Sequence, residues 1–297
     1  MAEFYVICQP GLEQELKSEI EEFWPYLIEK DSSLVKDSFS IIDESVGGLS
    51  FNCSEVIGYQ INFFSKLASR VLMRVSQFQT TEFGKLKSKL SKLNLEPYFS
   101  KEPFRVEVAA SKSKLNNEKR IYEVCQQVWG KQVVEEAEFA LLIRVYDDHF
   151  TVSIDTSGAH LHFRSKQKKI GEAPIRETLA AFMVRRLVAG IPLAKLISSS
   201  LTDPMAGSGT LLTEGSSILK PNFSRDFSFL NFKSCPKILK SESLQKNYPQ
   251  FPALFEELNA YDQSEKMIVI LRESLQGLSR KLHKEMFFKT RLWGRVF

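Results

Sequence analysis

The chain has 297 residues, 43% hydrophobic, 11% aromatic and 26% charged, a balance that excludes disorder, a collagen-like fibre and a small disulfide scaffold. Its length suits two or three domains, and its net charge of +4 hides alternating blocks: −9 over residues 1–65, +8 over 66–120, −4 over 121–165 and +9 over 166–297. Two basic segments can build a polyanion-binding surface or serve equally as solvated helix faces.

In chain order, Phe4–Cys8 predicts a strand that ends in the turn Gln9-Pro10-Gly11, and Leu12, Leu16, Ile20 and Phe23 then recur at helical spacing. Val46–Asn52 reads as a strand reached through Gly47-Gly48. Ser54 reads as the N-cap of a helix with Val56, Ile57, Tyr59 and Ile61 on its apolar face. Val71–Phe78 alternates as a strand, and Thr81–Leu93 sets Phe83, Leu86, Leu90 and Leu93 at helical spacing among lysines. Phe104–Ala109 alternates strictly, Lys119–Trp129 predicts a helix, and Leu141–Tyr146 with Phe150–Ile154 predicts a hairpin closed by Asp147-Asp148-His149. The order to residue 154 is α+β, with a domain boundary expected around Ser157–Gly171.

Beyond that boundary Pro174–Leu187 predicts a helix, Leu201–Asp203 a strand end and Thr210–Leu219 a helix. Residues 220–258, with four prolines, read as an insertion without periodicity. Asn259–Asp262 ends a second strand before a helix over Ser264–Leu275. Strand, glycine turn, helix, insertion, strand and helix begin a parallel α/β sheet. Four widely spaced cysteines, no basic leader and no apolar run of 18 residues predict reduced thiols in a cytoplasmic chain without a membrane span.

Chemistry concentrates in Thr202-Asp203-Pro204-Met205-Ala206-Gly207-Ser208-Gly209-Thr210. Gly207 and Gly209 permit positive φ and let a ligand approach the backbone, and the N–H groups opening the next helix favour a carboxylate or phosphate. Turns of this kind also occur in loops that bind nothing. The third glycine position of a dinucleotide fingerprint is Leu212 here, and the Gly-Lys-Ser/Thr of a P-loop is missing. His160 and His162, two apart on an expected strand, have no third ligand nearby, so no metal is expected. Phe287 and Phe288 read as a hydrophobic tail.

Asp203-Pro204-Met205-Ala206-Gly207-Ser208-Gly209-Thr210 resembles motif I of the class I S-adenosylmethionine-dependent methyltransferases that act on amino groups. The resemblance implies that Asp203, Pro204, Gly207, Gly209 and Thr210 wrap the methionine part of S-adenosylmethionine and that Asp262 holds its ribose hydroxyls. Upstream, Glu172-Ala173-Pro174-Ile175-Arg176-Glu177-Thr178-Leu179-Ala180-Ala181 resembles the helix before motif I in THUMP-containing RNA methyltransferases. That likeness implies Glu177 and Thr178 beside the cofactor, whereas the pattern alone favours a packing helix. Phe4–Glu15, Gly47–Phe51, Leu67–Leu72 and Phe104–Leu115 resemble the ferredoxin-like segment and the RNA-binding THUMP domain of those enzymes. Phosphate contacts are thereby implied at Lys112, Ser113, Lys114 and Arg120, while Arg70 and Arg74 read equally as contacts or as structural ion pairs. The stretch Leu219–Phe229 resembles the insertion of the bacterial branch that methylates N2 of guanine in large-subunit rRNA.

The expected fold is therefore an α+β N-terminal region, a ferredoxin-like segment over 1–60 plus THUMP over 61–160, followed by an incomplete α/β Rossmann-like class I methyltransferase domain over 161–297. The expected activity is methylation of guanosine N2 in 23S rRNA. tRNA guanosine and a non-catalytic RNA-binding role are the alternatives, and neither membrane nor metal is involved. One departure bears on activity. Such enzymes use Asn/Asp-Pro-Pro-Tyr/Phe to accept hydrogen bonds from the target amine of a base taken out of its stack, so that catalysis is largely positioning. No such segment occurs, and only 35 residues follow Asp262, so the expectation is a truncated or frameshifted end and a chain inactive by itself.

Overall fold

A seven-stranded sheet organises the N-terminal half of the chain. The computed structural model describes residues 1–28, 41–164, 175–240, 248 and 251–275. They form two units, one built from Met1–Leu161 with Asp226–Tyr248, the other from the described residues of His162–Arg225 and Pro249–Phe297.

In the first unit the elements run β1 (Ala2–Cys8), α1 (Glu13–Ile28), β2 (Ile41–Ser45), β3 (Gly48–Cys53), α2 (Glu55–Phe64), β4 (Ala68–Gln79), α3 (Phe83–Leu90) and α4 (Glu96–Phe99). They continue with β5 (Phe104–Ser111), α5 (Glu118–Trp129), β6 (Phe139–Tyr146) and β7 (His149–Asp155). The strand order is β2-β3-β1-β4-β7-β6-β5, antiparallel except for the β5–β6 pair. Alternation sends Phe4 and Val6, Val71 and Met73, Leu141 and Ile143, and Val152 and Ile154 into one buried face. The helices close that face, with Tyr59 against Phe4, Trp24 against Phe51 and Trp129 against Phe104. Ser54 caps α2 as expected, accepting from Ile57 N at 3.3 Å. Asp147 and Asp148 both take positive φ, 50° and 60°, which matches the tight hairpin to the right-handed strand twist. All four cysteines are buried and none forms a disulfide, and burial pushes the Cys125 thiol up to about 12.

The two expected N-terminal domains share this one sheet. β1 pairs with β3 on one side and β4 on the other, and the 60/61 boundary falls inside α2. The described residues of 226–248 also depart from expectation: instead of belonging with 161–297, they pack in the first unit. Phe227, Phe229 and Phe232 are buried to within 1%. Phe229 stacks on Tyr59 at 5.0 Å and meets Phe63 edge-on at 5.4 Å, while Phe232 reaches Tyr59, Tyr98, Phe99 and Phe139. Phe229 N donates to Thr156 O at 3.1 Å, and Gly158 has no room for a Cβ, which would lie 2.6 Å from Ser228 Oγ. Aromatic burial rather than helical or strand periodicity fixes this segment.

In the second unit α6 (Glu177–Val188), α7 (Leu193–Leu196), β8 (Ser200–Asp203), α8 (Thr210–Ser217), β9 (Glu257–Ala260) and α9 (Glu265–Ser274) follow in order. β8 and β9 pair in parallel, Ser200 with Glu257 through Asp203 with Ala260. α6 packs on α8 where Gly215 gives space; a Cβ there would meet Leu201 Cδ2 at 2.5 Å and Val184 Cγ2 at 3.7 Å. Arg164 grips the buried Glu214 of α8 through two bonds of 3.3 Å. Glu172, Ala173 and Pro174, the expected boundary glycine Gly171, and the tail with Phe287 and Phe288 lie outside the described residues. No helix among the described residues is long and apolar enough to cross a membrane.

Candidate cofactor site and polar sheet face

The turn after β8 is held by the strand that follows it in the sheet. Tyr261 N donates to Asp203 O at 2.9 Å and Ala206 N to Tyr261 O at 2.8 Å, which carries the parallel ladder past both strand ends. Gly209 N closes the turn on Ala206 O at 2.7 Å. Gly207 and Gly209 take φ of +53° and +81°, and they serve different ends. A Cβ on Gly209 would lie 2.7 Å from Leu271 Cδ2 of α9, so a side chain here would displace that leucine as well as strain the left-handed backbone. A Cβ on Gly207 would meet nothing within 4 Å, so its face is open.

Two carboxylates flank that opening. Asp262 accepts from Gly207 N at 2.9 Å and from Ser264 N at 2.8 Å. Asp203 accepts from Met205 N at 3.0 Å. Burial raises the Asp203 carboxyl above its ordinary range against the pull of that N–H, and the Asp262 charge adds to the rise. Asp262 thus occupies an N–H that a phosphate would need, and the paired acids repel phosphate. The carboxylate acceptors instead suit a ligand that donates from hydroxyls or an ammonium group. Pro204 and Met205 are exposed, Thr210 is buried at the start of α8, and its Oγ1 lies 3.4 Å from Ser208 Oγ. Asp203, Pro204, Gly207, Gly209, Thr210 and Asp262 therefore come together. Glu177 and the buried Thr178 form the first turn of α6, the helix that packs on α8.

The basic residues separate into two kinds. Arg70 is an internal partner, with Nη1 at 3.2 Å from both Glu107 and Asp155. Arg74 pairs with Glu3 and lies 4.7 Å over the Tyr5 ring. Both form the structural ion pairs that the sequence offered as one of two alternatives. Lys112, Ser113 and Lys114 gather at the β6–β7 hairpin: Lys112 Nζ lies 3.0 Å from Tyr146 Oη, Ser113 Oγ accepts from Asp148 N at 2.9 Å, and Lys114 N donates to Asp148 at 2.7 Å. Arg120 is exposed on α5 with its guanidinium 4.1 Å over Phe83. His160 and His162 lie in the turn after β7 rather than on a strand, because Asp155 caps Ser157 N and Gly158 N and ends the strand there. Among the described residues no group of three potential metal ligands occurs. Sequence reading passed over Arg144 and Tyr146, whose only signal was two polar positions alternating with Ile143 and Val145 in β6.

Residues 164–285 match the family described as RMKL-like, methyltransferase domain. A ribosomal RNA large subunit methyltransferase K/L from Psychromonas ingrahamii is 29% identical over 180 residues, 57% of this chain and 23% of that protein. The chain spans about a quarter of the length of the first such relatives. A solved structure from Listeria monocytogenes, described as a predicted N6-adenine-specific DNA methylase, superposes with a TM-score of 0.72 at 24% identity, covering 94% of this chain and 73% of that one. A protein solved in complex with SAH superposes with a TM-score of 0.66 at 22% identity, covering 93% and 72%. Both share the fold.

Proposed function

We propose, from the match of residues 164–285 to the family described as RMKL-like, methyltransferase domain, that the chain binds S-adenosylmethionine at the β8–α8 turn for methylation of RNA. The observation that carries this reading is the pair of strand-end carboxylates around the open face of Gly207. Asp262 accepts from the ribose hydroxyls with lone pairs left free by its two backbone donors. Asp203, Pro204, Gly207, Gly209 and Thr210 wrap the methionine part, and Glu177 and Thr178 flank it from α6. Bound S-adenosylmethionine supplies an electrophilic methyl group. The target is N2 of a guanosine in 23S rRNA, with tRNA guanosine as the runner-up, and a ribosomal substrate goes with a cytoplasmic location. The first unit serves as the ferredoxin-like segment and THUMP domain, with Lys112, Ser113, Lys114 and Arg120 on RNA phosphates.

Titration calorimetry tests the cofactor assignment. One equivalent of S-adenosylmethionine is expected to bind, and Asp262→Ala is expected to weaken it by about tenfold or more, the effect of losing charge-assisted hydrogen bonds of ~1.5–3 kcal/mol. Absence of binding by the unaltered chain would remove the reading. A role in RNA binding without catalysis is the alternative reading. Labelled methyl transfer to 23S rRNA and tRNA transcripts separates the readings. Turnover would discard the non-catalytic role and identify the RNA, and its absence beside measured cofactor binding would favour that role.

A further inference from the structure

The sheet face turned away from the helices holds a cavity of about 500 Å³ lined by Tyr5, Arg74, Glu107, Glu118, Arg144 and Ser153. Its size lies within the range of small-ligand pockets, ~300–1,000 Å³. Nearly every charge in and around it is already answered. Arg74 pairs with Glu3, Glu107 with both Arg70 and Arg105, and Glu118 accepts from Ala110 N at 3.0 Å. Arg144 differs: among the described residues its guanidinium has no ion-pair or hydrogen-bond partner. Two residues further along the same strand face, about 6.6 Å at the usual strand rise, stands Tyr146. It is 46% exposed, with Lys112 Nζ against its hydroxyl. The face therefore presents a spare cation in the cavity, an exposed ring beside it and a second cation beyond.

We propose that this cavity and the Tyr146 ring beside it together seat one nucleotide of single-stranded RNA, with a phosphate on Arg144 in the cavity and an unstacked base on the exposed side of Tyr146. The proposal rests on the reading of the first unit as an RNA-binding module. One spare cation takes one phosphate, and the wall carboxylates Glu107 and Glu118 are already held by Arg70, Arg105 and Ala110 N. The same carboxylates repel a dense uniform polyanion, so a duplex is not the occupant. Base stacking on an exposed ring tolerates any sequence.

The test is fluorescence anisotropy with a labelled single-stranded 12-nucleotide RNA and its duplex over a series of salt concentrations. Arg144→Ala is expected to weaken single-strand binding about fivefold or more and to flatten the slope of log K against log salt by about 0.7. Tyr146→Ala is expected to weaken it about fivefold or more with the slope unchanged. Arg144→Lys should restore the slope, and Lys131→Ala, an exposed lysine outside the cavity, should leave binding near that of the unaltered chain. Arg144 is exposed and has no partner among the described residues, so its variants should keep the thermal midpoint and report on binding alone. Single-strand binding by Arg144→Ala equal to that of the unaltered chain, or an equal loss in Lys131→Ala, overturns the proposal. Failure of the unaltered chain to bind any RNA overturns both the seat and the RNA-binding reading, whereas RNA binding indifferent to Arg144 overturns the seat alone.

Discussion

Phe229→Ala is expected to cost the first unit about 3–5 kcal/mol, the usual loss when a fully buried phenylalanine leaves a cavity. Phe229 is completely buried between Tyr59 and Phe63 of α2, and its backbone N–H anchors the segment on Thr156 O. Truncation removes the ring contacts and lets water reach the aromatic side of α2. Urea denaturation followed by tyrosine and tryptophan fluorescence reads the change as a lower midpoint. Ile42→Ala, at a side chain 53% exposed, supplies the comparison and should shift stability by less than about 0.5 kcal/mol. A Phe229→Ala midpoint as high as that of the Ile42 variant would mean that residues 226–248 are not part of the core.

Arg70→Ala is expected to be equally costly, but only at neutral and alkaline pH. Asp155 is fully buried, and its carboxyl is pushed up to about 6 by burial, against the pull of Arg70 and of the Ser157 and Gly158 N–H groups. The folded state therefore holds this proton more tightly than the unfolded chain. Its contribution to stability is fully present below about pH 4 and is lost as pH rises to about 6. Arg70 is the largest influence favouring the charged form, and without it Asp155 ionises at still higher pH or remains a buried charge without a counterion. Removing one partner of such a pair costs about 3–5 kcal/mol. The loss should appear in full at pH 8 and shrink at pH 5, where Asp155 takes its proton. Denaturation at the two pH values checks this; an equal loss at both would show that Arg70 acts through packing rather than charge.

How much of this was legible in the sequence depends on the range of the forces involved. β4 and β5 were readable from alternation, and β1, β6 and β7 as short apolar runs of β character. Ser54 was readable because a cap is a contact across three residues. β2 was not: Ile41–Ser45 is an edge strand whose three central residues are all exposed, so it carries no alternating signal. The 226–248 segment was misplaced because its phenylalanines act through burial in short 3₁₀ turns, which leave no period. At the candidate site, the acid-glycine turn was visible as a local pattern, while the bond from Gly207 to Asp262 spans 55 residues and needed the fold. Arg70 and Arg74 were ambiguous for the same reason, since Asp155 and Glu3 lie 85 and 71 positions away.

The discontinuous first unit also has a timetable. During synthesis its sheet strands have all emerged once residue 155 clears the ribosome, but the phenylalanines that complete its core follow about 70 residues later. At roughly 5–20 residues per second, that leaves an interval of about 4–14 s. Throughout it, Tyr59, Phe63, Phe99 and Phe139 lack their closing partners. The nascent chain thus carries an unfilled aromatic groove for seconds, which makes that groove the natural point of attachment for a chaperone and the point of greatest exposure to aggregation. Codons that slow translation between residues 161 and 226 would prolong the risk, and faster ones would shorten it.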